Sequence, residues 1–159
     1  MENKNELMIE RIFDASCESV WQAWTNPEML KQWWGPNNVT IPECSVDLRL
    51  GGTFYIVMEA GEAMGPYKGT KWPMRAEFTV IEPNAKLAYH AKAWTEGQED
   101  ATVIDQSTEI IFVEENGKTK VIVKAVINNP ETAPAMAVQG MQGGFAQQLG
   151  KLEHFLAGV

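Results

Sequence analysis

The spacing of apolar and polar residues predicts most of the secondary structure. Between Glu6 and Phe13, Leu7, Ile9 and Arg11 share one parity and Met8, Glu10 and Ile12 the other, the period of two of a β-strand. Ser16 then stands where a helix N-cap is expected, and Glu18 places an anion in the first turn. Val20, Trp21 and Trp24 give that helix its apolar side. Asn26-Pro27-Glu28 predicts a second helix, with a capping Asn and Pro at the first helical position; Met29, Leu30, Trp33 and Trp34 form its apolar side and Gly35-Pro36 stops it.

From Val39 to Thr95 the period is again two. Phe54, Ile56 and Met58 alternate with Tyr55, Val57 and Glu59, while Met74, Ala76, Phe78 and Val80 alternate with Arg75, Glu77 and Thr79. Gly51-Gly52 and the stretch from Gly61 to Gly69 read as turns or loops, Pro83-Asn84 punctuates, and Leu87 to Trp94 continues the sheet. Asn116-Gly117 predicts a two-residue hairpin turn, because both central residues need positive φ. Closing it pairs Glu115 with Lys118, Phe112 with Val121, Ile110 with Val123 and Thr108 with Ala125, the last three pairs facing inward. Glu109 with Lys124 and Val113 with Lys120 then face outward.

The chain ends in one long helix, expected from near Thr132 to about Leu156. Its stripe runs through Met141, Phe145, Gln148, Leu152 and Phe155 or Leu156. Leu149, Leu152, Phe155 and Leu156 would fill a core. The earlier half instead carries Ala133, Ala137, Gly140 and Gly144 along one flank. Each glycine inside a helix costs about 1 kcal/mol against Ala, so the small residues imply either close approach to a sheet or a space left open. A strand, two short helices, about six antiparallel strands and a long helix define one α+β domain over residues 1–159. In it a curved antiparallel sheet of six to seven strands wraps around the terminal helix, with a pocket at one end.

Composition narrows the function. Among 159 residues, 13 Lys+Arg against 21 Asp+Glu give a net charge of −8, which repels phosphate backbones and counts against nucleic-acid binding. No apolar run approaches the roughly 20 residues that span a bilayer. The charged start, Met1-Glu2-Asn3-Lys4-Asn5-Glu6, lacks a signal peptide's apolar segment, so a cytoplasmic protein with reduced Cys17 and Cys44 is expected. His90 and His154 form no HExxH, and no GxGxxG, P-loop or GxSxG occurs; neither a metal nor a cofactor is expected.

Six Trp and eight Met are the compositional surplus, and flat rings with pliable thioethers suit a hydrophobic site. The expected ligand-binding residues are Trp34, Met58, Trp72, Met74, Phe78, His90, Trp94, Met136, Met141 and Phe145. His90, mid-strand between Tyr89 and Ala91, is either a proton shuttle in the pocket or a histidine of the outer face or core. Asp47 and Arg49 share a face and either orient a polar ligand or pair with each other.

Ile9-Glu10-Arg11-Ile12-Phe13-Asp14-Ala15, the run from Val20 to Glu28 and Trp33-Trp34-Gly35-Pro36 resemble the start of an activator-of-heat-shock-protein-ATPase-like domain. Asp47-Leu48-Arg49-Leu50-Gly51-Gly52, Pro83-Asn84-Ala85-Lys86-Leu87 and Gly143-Gly144-Phe145 are similar to that family's later signatures, in the same order. Ser16 replaces the family's usual Pro and Phe145 its usual Trp. The resemblance implies the START-like, birch-pollen-allergen-like helix-grip fold, whose members enclose a cavity and often bind lipids, polyketides or other hydrophobic molecules. The expected function is binding of a small hydrophobic or amphipathic ligand between sheet and terminal helix, with no catalytic residue. The alternatives are a polyketide cyclase or hydrolase drawing on His90, Tyr89, Tyr67 or Glu77, and a co-chaperone-like module or homodimer using outer-face Ile111, Ile122 and Val126.

Overall fold

The computed structural model describes residues 5–99 and 103–158, with the Met136 side chain also outside the description. The first strand, β1 (Glu6–Phe13), is followed by helices α1 (Cys17–Thr25) and α2 (Pro27–Trp33). Strands β2 (Val39–Val46), β3 (Thr53–Ala60), β4 (Lys71–Glu82), β5 (Lys86–Ala93), β6 (Ile104–Glu115) and β7 (Lys118–Ile127) come next, with a 3-10 turn over Glu62–Tyr67 between β3 and β4. Helix α3 (Ala135–Ala157) ends the chain. The strands form one antiparallel sheet in the order β1-β7-β6-β5-β4-β3-β2. It curls around α3, giving the helix-grip arrangement that the sequence implied.

Local chemistry sets the element ends. The Ser16 hydroxyl accepts from the Ser19 N–H at 3.1 Å, and Asn26 Oδ1 accepts from Glu28 N–H at 2.9 Å and Met29 N–H at 3.3 Å. Each cap satisfies first-turn donors that the helix itself leaves unpaired. Asn116 and Gly117 have φ of 53° and 79°, and the β6–β7 register is the one their turn demands, from Glu115 opposite Lys118 to Thr108 opposite Ala125. Phe112, Val121, Ile110, Val123, Thr108 and Ala125 are all buried.

Two local expectations needed correction. Between Phe78 and Val80 the β4–β5 register shifts, with Ile81 opposite Leu87, so past Thr79 it is Ile81 rather than Val80 that packs against the core. A bulge of this kind inserts one residue and reverses the facing of all that follow. Helix α3 begins at Ala135, after Pro134, and not near Thr132. Thr132 belongs instead to a turn in which Asn129 Oδ1 accepts from the Asp105 N–H and the Asn129 carbonyl from the N–H groups of Thr132 and Ala133.

The core fills one end of the curl. Ring contacts run from Trp21 through Phe112, Trp24, Trp33 and Trp34 to Phe54, which stacks on Phe78 and meets Tyr89 edge-on. Leu149, Leu152 and Leu156 of α3 bury themselves against this end. On the outer sheet face, Ile111, Ile122 and Val126 are half-buried, among the ion pairs Lys86–Glu109 and Lys120–Glu10.

Gly143 lies on the exposed side of α3, and a Cβ there would meet no atom within 4 Å. Gly143→Ala is therefore expected to raise stability by about 1 kcal/mol, read as a higher urea midpoint with an unchanged slope. An unchanged or lower midpoint would contradict this assignment of the helix's exposed side.

Candidate functional site

The second half of the hollow is open. A cavity of about 310 Å³ lies between the sheet and the N-terminal half of α3. Its sheet side comprises Ile56 and Met58 of β3, Trp72 and Met74 of β4, Ala91 and Ala93 of β5, Ile104 and Gln106 of β6, and Ile127 of β7. Its helix side is Ala137, Gly140, Met141, Gly144, Phe145 and Gln148, and Trp34 and Pro36 close one margin. A Cβ built on Gly140 or Gly144 would find nothing within 4 Å. Close approach to the sheet is thus excluded; both glycines line the open space, Gly144 half-buried and Gly140 exposed at its edge.

The margin carrying Trp34 and Pro36 is tied to α3 by polar side chains. The Gly35 N–H donates to Gln148 Oε1 at 3.0 Å and the Asn37 N–H to Gln147 Oε1 at 2.9 Å. Lys151 Nζ donates to the carbonyls of Trp34 and Pro36, at 3.0 and 3.3 Å. Burial of that ammonium lowers its pKa from the usual lysine value. Glycine is required at the bend: φ at Gly35 is 83°, and a Cβ would come within 2.8 Å of Val39 Cγ2 and 2.9 Å of Met58 Sδ. The long side chains of Gln147, Gln148 and Lys151 therefore fix the margin without occupying the hollow.

The expected site residues divide. Trp34, Met58, Trp72, Met74, Met141 and Phe145 line the cavity together. Phe78 does not; it is buried at the filled end, its ring 6.1 Å from that of Phe54. His90 and Trp94 lie on the other side of the sheet, along a shallow groove with Arg75, Glu77 and Lys92. The strand pleat forces this, since Tyr89 and Ala91 point inward and are buried. The Met136 side chain lies outside the described residues. Gln106 and Gln148 were not expected. Gln148 stands on the apolar stripe of the helix, and an amide at such a position is the signal that could have marked it.

The acid–base candidates sit elsewhere. His90 Nε2 is bonded to Asp105 Oδ1, which also accepts from Asn128 Nδ2 at 2.8 Å. Tyr67 is 54% exposed and Glu77 is exposed on the outer face. Tyr89 points inward, but burial drives its phenol far above the ordinary range, so it holds its proton at neutral pH. Burial likewise pushes the Cys44 thiol up to about 11, away from thiolate chemistry. Asp47 and Arg49 pair with each other at 2.8 Å beside the Gly51-Gly52 turn. Among the described residues no group of three His, Cys, Asp or Glu could hold a metal ion, and no helix is long and apolar enough to cross a membrane.

Residues 14–157 match the family described as Activator of Hsp90 ATPase homolog 1-like protein, and the chain belongs to that family. Solved structures agree in fold. A crystal structure of a Nitrosomonas europaea protein is similar with a TM-score of 0.78 at 25% identity, over 99% of this chain and 97% of that one. A solution structure of an Arthrobacter aurescens protein gives 0.80 at 21% identity, over 100% and 91%. The Silicibacter pomeroyi protein named for the same family gives 0.75 at 21% identity, over 96% and 97%. Among curated proteins, none matches this chain.

The Asp105 carboxyl is held below its ordinary value of 3.8, chiefly by the Asn128 amide, with burial opposing and the His90 hydrogen bond adding to the lowering. A depressed carboxylate supplies stability that is whole above 3.8 and disappears as pH falls through the lower folded value. Thermal melts of Asp105→Asn should therefore fall less steeply below pH 3.8 than those of the natural protein. Parallel curves for the two would show that the cluster contributes nothing.

Proposed function

We propose that the cavity binds a small hydrophobic or amphipathic molecule, between the curled sheet and the N-terminal half of α3. One observation carries this reading: about 310 Å³ of apolar-walled space lies beside Gly140 and Gly144, and a Cβ on half-buried Gly144 would meet no atom within 4 Å. Filling that space with side chains would remove the helix-glycine cost and add dispersion contacts, so stability alone gives no reason to leave it open. An apolar cavity of about 150 Å³ holds one benzene, and this one is about twice as large, the scale of a two-ring molecule. Rings and thioethers from Trp34, Trp72, Met58, Met74, Met141 and Phe145 supply walls that adapt to shape. Membership of the family supports the reading, since cavities on this fold often hold ligands.

The test is titration with 1-(dimethylamino)naphthalene, a two-ring probe uncharged at neutral pH, following its emission and the tryptophan fluorescence. Saturable one-site binding is expected in the natural protein. Gly144→Phe, which places a ring in the cavity, should abolish it, whereas Gly143→Phe on the exposed side should leave it intact. Equal binding by all three proteins would overturn the proposal, as would no saturation in the natural one.

A further inference from the structure

Resting on that binding reading, we propose that the cavity selects uncharged ligands carrying a carbonyl-type oxygen, which the side-chain amide of Gln148 recognises. Gln148 is only 7% exposed, yet it borders the cavity. Its orientation is fixed by chemistry. A backbone N–H can only donate, so the Gln148 atom that meets the Gly35 N–H at 3.0 Å is the oxygen. The amide NH2 is then the end left over, and among the described residues no protein acceptor meets it. Trp24 Nε1 is the buried side-chain polar atom left without a partner among the described residues, so the Gln148 NH2 is open to the cavity it lines, and a guest that displaces water there must bring it an acceptor.

Gln106 is arranged in the complementary sense. Its Nε2 donates to Thr108 Oγ1 at 3.0 Å, which leaves Oε1 as its unused polar atom at the cavity wall. The cavity thus offers one spare donor and one spare acceptor on otherwise apolar walls. No described residue that lines it is ionisable. The cation of this margin, Lys151, is engaged by the carbonyls of Trp34 and Pro36 and does not line the space. The chain as a whole carries a net charge of −8. A carboxylate or phosphate would therefore lose its water without gaining a counter-ion, which is far costlier than burying a hydrogen-bonded ketone.

Three ligands of nearly one shape separate these effects: acetylnaphthalene, isopropenylnaphthalene and naphthoate, each titrated at neutral pH. The natural protein should bind the ketone more tightly than the hydrocarbon, and naphthoate at least about a hundredfold more weakly than the ketone. Gln148→Met, which keeps the length and removes the amide, should lower the ketone-to-hydrocarbon affinity ratio about tenfold. Should that variant fail to fold, the Gln148 side-chain amide resonances of the natural protein give the same information: in the ketone complex they should lie downfield of their positions in the isosteric hydrocarbon complex, whose ring contributes the same ring-current shift, and equal positions in the two would overturn the selection. Hydrocarbon binding as tight as the ketone's, or naphthoate binding tightest, would overturn the selection while leaving the cavity's binding role standing. Failure of all three to bind would instead remove the binding role itself, and the selection with it.

Discussion

A sheet that curls leaves a concave face, and every apolar residue on that face must be covered by something. Here a single helix, α3, has to cover it, and its two halves do so differently. Leu149, Leu152 and Leu156 reach into the aromatic core and are almost wholly buried. Toward its N-terminus the side chains on this flank shrink to Gly144 and Gly140, and a space remains between them and the concave face, where Met74, Ala91 and Ala93 line it. The filled half supplies the packing that holds the domain together, which frees the other half from that task. Core side chains act through close contact, so a hollow of this size persists only where the surrounding frame is rigid enough not to collapse.

That rigidity has a polar origin. The bend from Trp34 to Asn37 stands at the edge of the hollow and would be free to fall inward if only apolar contacts held it. Gln147, Gln148 and Lys151 of α3 instead grip its backbone N–H and carbonyl groups. Hydrogen bonds fix direction as well as distance, so they can hold a rim in place across a gap. Trp34 belongs to both regions: its ring packs edge-on against Phe54 of the core and also borders the cavity. The chain of rings behind it transmits the solidity of the core to the rim.

Much of this was legible in the sequence because it depends on near neighbours. The Asn116-Gly117 turn determined the facing of every residue in β6 and β7, and the Ser16 and Asn26 caps placed two helix starts. The glycines of α3 announced that small residues were needed, though only coordinates could distinguish tight contact from open space. What escaped was set at longer range. A bulge near Thr79 turned Ile81 inward in place of Val80, and nothing local signals where a ladder slips. Phe78 shares its facing with Met74, yet four residues along a strand move a side chain from the hollow into the packed end. His90 and Trp94 were misplaced although the information was present: with Tyr89 and Ala91 inward, even-numbered neighbours in β5 had to face out.

Ligand binding requires that the space beside Gly140 and Gly144 be open to a guest in the folded protein. A crystal pressurised with xenon tests this without presuming any ligand, because xenon settles in apolar cavities that lack ordered packing. The expectation is a strong xenon peak bordered by Met74, Met141 and Phe145. Side chains closed over that volume, with no xenon between sheet and helix, would contradict it.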